Sequence, residues 1–311
     1  MQDGTEVRPV PLRFFLGELR IAEVTRRLAV VPFAFNAAEL GAEDWPRGPA
    51  PAGAEGFYHP SARIAGNLPK VARNGRFIRY VPARFRRHYI DLGGSMDDYL
   101  ATFSGKTRNT LRRKIKKFAE ASGGEIAWRT YATPDEMAEF HRLAREISAK
   151  TYQERLLDAG LPESDDFRAE MMARAARGLA RGHLLFLQGK PISYLYLPVE
   201  DDRLIYAYLG YDPEHAKLSP GTVLQWLVVE ALYAERRFRY FDFTEGQGAH
   251  KELFGTNSLF CGNVYFLEDT FRNRLTVALH RGLTALSDGI VRILDRLGVK
   301  QAIKKWLRAR A

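Results

Sequence analysis

The spacing of apolar residues changes several times along the chain, and each change predicts an element. Residues 9 to 35 hold runs of β-formers, with Arg13-Phe14-Phe15-Leu16 and Leu28-Ala29-Val30-Val31 as strand cores. From Gly41 to Gly56, Gly, Pro and Ala replace the large apolar residues, which predicts a surface loop and a weak internal boundary. Between Arg63 and Val81, basic residues interleave with aromatics. The rings fall at strand-like positions, so a core role outweighs nucleic-acid stacking. Tyr89-Ile90-Asp91-Leu92 predicts a short strand, and Gly93-Gly94-Ser95 a turn.

Leu111, Ile115 and Phe118 form a narrow apolar stripe at i, i+4, i+7, so the following stretch reads as a helix fixed to the body on one side. Glu125–Tyr131 reads as a strand. Pro134–Ser148 reads as a helix capped by Thr133, with Met137, Phe140, Leu143, Ala144 and Ile147 on one face. Another helix is expected over Phe167–Ala180. The segments 183–187, 192–199 and 203–209, separated by the turns Gln188-Gly189-Lys190 and Glu200-Asp201-Asp202, predict an antiparallel meander. A crossover helix, Thr222–Glu235, and two strands, Phe238–Phe243 and Ser258–Leu267, complete a mixed α/β layer. The tail from Thr270 predicts two helical stretches divided near Gly298.

Residues 204–266 organise this pattern. Strand, Gly-bearing turn, helix and strand form a layout that can hold an anion, because the first turn of a helix leaves N–H groups unpaired and carries partial positive charge. Ser219 is placed to cap that helix, Pro220 suits its first turn, and Gly221 lets a ligand approach the backbone. Ser-Pro-Gly is equally an ordinary helix start, and the residues alone leave both readings open.

Charge adds to the picture. Lys plus Arg number 47 against 37 Asp plus Glu, a formal +10, which favours an anionic partner: coenzyme A, nucleic acid, an acidic glycan or a lipid surface. Seven cations and no acid lie between Lys106 and Lys117. Arg108, Arg112 and Arg113 are candidate anion contacts there, with a merely solvated face as the alternative. In the tail, Val299, Ile303, Trp306 and Leu307 oppose Lys300, Lys304, Lys305, Arg308 and Arg310. Such a helix fits an anionic membrane surface, or it docks on the domain or on a second subunit as a homodimer. Cys261 stands alone in an apolar strand, which excludes an intrachain disulfide and predicts a buried structural thiol in a reducing compartment. No run nears the roughly 18 apolar residues that cross a bilayer, and no basic-then-apolar leader precedes Asp3, Glu6 and Arg8. The expected address is cytoplasmic, with the inner membrane face as a peripheral option. Metal-ligand spacing and a Gly-Lys-Ser/Thr phosphate loop are both missing.

Gly210-Tyr-Asp-Pro213, Ser219-Pro-Gly221, Asp242-Phe-Thr-Glu-Gly246 and His250-Lys-Glu-Leu-Phe-Gly-Thr256 together resemble the CelD-like (BioF-like) branch of the GNAT acyltransferases. That branch is similar to the Fem-type peptidyltransferases. Phe103-Ser-Gly-Lys-Thr-Arg-Asn-Thr-Leu-Arg-Arg-Lys114 is similar to the start of the second half in the same branch. Two departures stand out. Ser219-Pro220-Gly221 replaces the usual Gln/Arg-x-x-Gly-x-Gly/Ala signature, and His250-Lys251 stands where Tyr-Lys is common.

The resemblance implies a GNAT-type fold in which residues 1–95 are a degenerate GNAT-like half, 96–269 the acyltransferase domain and 270–311 a basic helical tail. It implies an acetyl-CoA or other acyl-CoA donor held by Ser219, Gly221, Thr222 and Tyr208. It places Tyr152, Gln153 and His250 on the acceptor side and gives Tyr152, Lys251 and Asp242 catalytic duties. Asp242 would be the base or amine-orienting group, or else cap the turn Thr244–Gly248; Lys251 would face donor phosphates or the oxyanion. The implied acceptor is an amine on an exopolysaccharide sugar or cell-envelope glycan. Two rivals remain: a Fem-like transferase using aminoacyl-tRNA, and a non-catalytic module that senses a nucleotide such as a cyclic dinucleotide.

Overall fold

The structure is a computed structural model, and it describes residues 5–17, 19–151, 160–246 and 248–296. The first half of the chain gives strands β1 (Glu6–Leu16), β2 (Leu19–Val30), β3 (Gly56–Arg63), β4 (Val71–Asn74), β5 (Phe77–Tyr80) and β6 (Arg84–Asp91). Helices α1 (Met96–Ala101) and α2 (Gly105–Ala121), strand β7 (Trp128–Tyr131), and helices α3 (Pro134–Ser148) and α4 (Asp165–Ala176) follow. Then come β8 (Ala180–Leu187), β9 (Lys190–Glu200), β10 (Arg203–Ile205), β11 (Tyr208–Tyr211), a 3-10 turn at Pro213–Leu218 and α5 (Pro220–Glu235). The described residues end with β12 (Tyr240–Asp242), α6 (Ala249–Phe254), β13 (Asn257–Glu268) and α7 (Phe271–Arg296). This is the mixed α/β architecture expected from the sequence.

The described residues fall into two compact units, one holding those up to Arg87 together with 259–296, the other those between His88 and Ser258. All but the first two residues of β13, and α7, belong to the unit of the N-terminal strands.

In the first unit, β1 and β2 make an antiparallel hairpin, β2 runs parallel to β3, and β13 pairs antiparallel with both β3 and β5. Val10, Leu12 and Phe14 of β1 alternate inward with Leu28, Val30, Tyr265 and Val277 of α7. Cys261 is fully buried in β13. The Gly/Pro/Ala-rich stretch is held by Arg79, whose guanidinium donates to the carbonyls of Gly41 and Ala42 and lies 4.6 Å from the Trp45 ring.

In the second unit the meander is present. β8 pairs antiparallel with β7 and β9, β10 with β9, and β10 then runs parallel to β12, which pairs antiparallel with residues 89–91 of β6. β9 is apolar on both faces, and period 2 explains why. Leu195 and Leu197 join Leu111 and Phe118 of α2 and Val223, Leu224 and Val228 of α5. Tyr194 and Tyr196 join Phe140 and Ala144 of α3 and Met171 of α4.

Helix ends follow local chemistry. Thr133 and Glu136 form a capping box on α3, and the hydroxyls of Ser104 and Ser164 accept from Thr107 N and Phe167 N. α4 was expected to run to Ala180; it stops at Ala176 because Gly178 adopts a left-handed φ of +69° and the chain turns into β8. Among the described residues, no helix is long and apolar enough to cross a membrane.

Candidate active site

The expected strand 203–209 is in fact broken, and the break makes the cleft. β10 pairs with β12 through Ile205–Asp242, and Tyr206 N donates to Asp242 O at 2.9 Å. Beyond that point, among the described residues, β11 pairs with β9 alone. Asp212 N donates to Ile192 O, so the register turns Tyr208 and Gly210 toward β9 and leaves the N–H and C=O of Leu209 and Tyr211 on the opposite edge. A cleft of about 390 Å³ opens along this edge. Its walls are Tyr206, Ala207, Tyr208, Leu209 and Tyr211 on the strand and Gly221, Thr222 and Gln225 on α5; Tyr194, Thr244, His250, Lys251 and Phe254 complete it.

The start of α5 is one end of the cleft. Ser219 does not cap it: its φ is +54°, and its side chain makes no capping hydrogen bond. The chain must reverse there between the 3-10 turn and α5, and side-chain capping needs an extended residue instead. Ser219 O accepts from both Thr222 N and Val223 N. Pro220 has no N–H, so among the described residues Gly221 N–H is the first-turn donor without an intrahelical partner. A Cβ on Gly221 would stand 3.0 Å from Leu209 Cδ2, so the helix start and the strand edge already touch.

The cationic helix reaches the same place. Lys114 Nζ lies 3.5 Å from Thr222 Oγ1, and Lys117 Nζ donates to Lys217 O at 3.0 Å. Arg112 and Arg113 are exposed on α2 and Arg108 is half-buried; none of the three lines the cleft.

Deeper in, Gln225 is 2% exposed, and its Nε2 has no hydrogen-bond partner among the described residues. A buried amide donor left unpaired costs about 1–3 kcal/mol, which a ligand carbonyl in the cleft would offset. His250 stacks at 5.6 Å on the Tyr206 ring. Burial, reinforced by Lys251, pushes the His250 imidazole below its ordinary pKa, so it is neutral near pH 7. Burial likewise raises the Tyr206 hydroxyl, which stays protonated, and does the same to Tyr208.

Asp242 has a different setting from that of an accessible base. It is fully buried, one oxygen accepts from Thr244 N at 2.9 Å, and the other pairs with Arg203 at 3.3 Å. It is absent from the cleft lining, so the alternative of a turn-capping aspartate describes its geometry. Arg203 also pairs with Glu200. Lys251 does line the cleft, but its ammonium donates to Phe243 O at 2.7 Å and Glu245 O at 2.6 Å, clamping the same turn. Gly221, Thr222, Tyr208 and His250 also line the cleft, whereas Ser219 does not. Tyr152 and Gln153 lie outside the described residues. Sequence reasoning missed Tyr206, Gln225 and Lys114. A lone Gln within the apolar run 223–229 was the available signal for Gln225.

Residues 105–252, which contain α2 and nearly all of this cleft, match the family model described as Acetyltransferase (GNAT) domain. Residues 105–252 are therefore a GNAT-type acyltransferase domain. No curated protein matches the sequence closely enough to count as a relative. Among solved structures, the chain is similar to the C-terminal domain (DUF2156) of a putative lysylphosphatidylglycerol synthetase from Agrobacterium fabrum. The identity is 11%, the TM-score 0.48, and the cover 75% of this chain and 73% of that one. It is similar to L-PGS from Bacillus licheniformis at 12% identity and TM-score 0.47, covering 73% and 72%. It is also similar to FemX at 10% identity and TM-score 0.47, covering 85% and 88%.

Proposed function

We propose that the protein moves an acyl group, acetyl in the simplest case, from acyl-coenzyme A to an amine, within the cleft between β11 and α5. One observation carries this reading: an unpaired strand edge runs up to an uncapped helix N-terminus with Lys114 beside it. A thioester-linked chain can hydrogen-bond along the edge of Leu209 and Tyr211, while its phosphates meet the Gly221 N–H, the helix dipole and Lys114.

The chemistry is direct transfer. The acceptor nitrogen attacks the thioester carbonyl carbon, its proton passes to the neutral imidazole of His250, and the C–S bond breaks to release the thiolate of coenzyme A. Gln225 Nε2 and the Leu209 N–H are the donors available to the carbonyl oxygen as it gains charge. Asp242, Arg203 and Lys251 act indirectly, by fixing the turn that presents Thr244 and His250. The acceptor is taken as an amino sugar of a surface glycan. Support comes from the motif resemblance and from the four tyrosines of the cleft, 194, 206, 208 and 211, whose faces suit a sugar ring.

A second reading, aminoacyl-tRNA as donor, is favoured by the exposed Arg112 and Arg113, whose positive charge extends beyond the cleft. The test is release of coenzyme A thiol from acetyl-CoA with glucosamine-type acceptors, wild type beside Gln225→Leu. Turnover that falls roughly 10²–10³-fold in the variant supports the cleft assignment. No release with any acyl-CoA, alongside acyl transfer from aminoacyl-tRNA, would establish the second reading instead.

A further inference from the structure

α7 wears its apolar side outward. At 100° per residue, Phe271, Leu275, Leu279, Leu286 and Ile290 share one arc, and all five are exposed, Phe271 at 81% and Leu279 at 58%. Gly282 falls between them, Ala278 and Ala285 extend the arc on one side, and the exposed Arg272 stands at its other edge beside Ile290.

The opposite, inward face packs Val277 and Leu283 on the core and makes its remaining contacts through polar side chains. Arg26 donates to Asn273 Oδ1 and Thr276 Oγ1, the Tyr80 hydroxyl meets His280 Nδ1 at 2.6 Å, and Gly17 N donates to Ser287 Oγ at 2.7 Å. These directional bonds fix the rotation of the helix, so it cannot turn its leucines inward. The Gly17 bond also ties the tip of the β1–β2 hairpin to α7, and that tip exposes Leu16 and Leu19, the latter at 66%.

Charge identifies the occupant. Arg274, Arg281 and Arg292 lie along one border of the arc and are exposed, Arg274 also pairing with Asp269 at 2.6 Å. Residues 271–311 hold ten Lys and Arg against two Asp, a net +8 out of the chain's +10. A second copy of this chain would bring the same cations to the same border and repel. An anionic lipid surface complements both the charge and the apolar arc.

We propose that the outer face of α7, with the β1–β2 hairpin tip, lies on an anionic membrane surface, the helix axis in the plane of the interface. The leucines enter the acyl boundary and the arginines face lipid phosphates. Association needs both terms, since one apolar stripe or a few charges alone bind only marginally.

The test is co-sedimentation of the full chain with phosphatidylcholine vesicles and with phosphatidylcholine–phosphatidylglycerol vesicles, at low and at high salt. The wild type is expected to pellet with the anionic vesicles at low salt only. Leu275→Gln/Leu279→Gln/Leu286→Gln should stay in the supernatant with an unchanged thermal midpoint, because all three side chains are already exposed. Arg274→Gln/Arg281→Gln/Arg292→Gln should bind more weakly by roughly fivefold for each charge removed. Wild type that ignores anionic vesicles overturns the proposal, as does a leucine variant that binds like wild type. So does a concentration-dependent dimer that the leucine variant splits, which would assign the face to a second copy.

Discussion

The ammonium of Lys114 stands 3.5 Å from the hydroxyl of Thr222, so the most cationic helix of the chain meets the N-terminus of α5 at the mouth of the cleft. Fixed positive charge and the Gly221 N–H thereby converge on one point, where the proposed reading puts the donor phosphates.

Lys114→Gln with Lys117→Gln should weaken acyl-CoA binding by about 10-fold or more and flatten its salt dependence, because a desolvated charge-assisted contact to phosphate is lost. Arg112→Gln with Arg113→Gln, which face solvent, should change acyl-CoA affinity less than twofold. Calorimetric titration at two salt concentrations separates the pairs. Equal losses in both would mean that the helix acts as a diffuse field and not through Lys114.

Asp242→Asn should act on the fold before it acts on chemistry. Removing one partner of a buried ion pair leaves Arg203 undercompensated, and a loss of about 3 kcal/mol of unfolding free energy is expected. Turnover per folded molecule should fall less than 10-fold. A variant with wild-type stability and a loss of 10² or more in kcat would return Asp242 to the role of base.

Partial desolvation, reinforced by Lys251, puts the His250 pKa below that of free imidazole, although the residue keeps an exposed edge. The sign follows: kcat/KM for a free-base acceptor should stay level down through pH 6.5 and fall only below it, as the ring takes a proton. His250→Gln should remove that acid limb and lower the plateau by roughly 10²–10⁴-fold. An acid limb that survives in the variant would assign the base elsewhere.

Much of the second unit was legible because it is written in local terms. Thr133 three residues before Glu136, the stripe Leu111-Ile115-Phe118 and the turn Gln188-Gly189 each specify their element from neighbouring residues. The break at Tyr206-Ala207 was not legible, since both sides of it are β-formers and only the diverging partners β9 and β12 split the strand. Asp242 was expected as a base or as a turn cap; its cation is Arg203, 39 residues earlier, and no local pattern announces that pair. The placement of β13 depends on its pairing with β3 and β5, 185 to 211 residues away, which periodicity cannot show. Gly221, Thr222 and His250 stood at recognisable motifs, whereas Lys114 needed the packing of α2 on α5 to be singled out from six other cations.

The central claim is that an acyl-CoA lies along β11 with its phosphates at the start of α5. Calorimetric titration of acetyl-CoA into wild type and Gly221→Glu tests it most directly. The substitution puts bulk and negative charge beside Leu209 and at the unpaired N–H, while an acid in the first helical turn favours the helix itself. The account predicts saturable binding to wild type and none to a Gly221→Glu protein whose circular dichroism and melting midpoint are preserved. Equal affinity in a folded variant, or a wild type that binds no acyl-CoA at all, would contradict it.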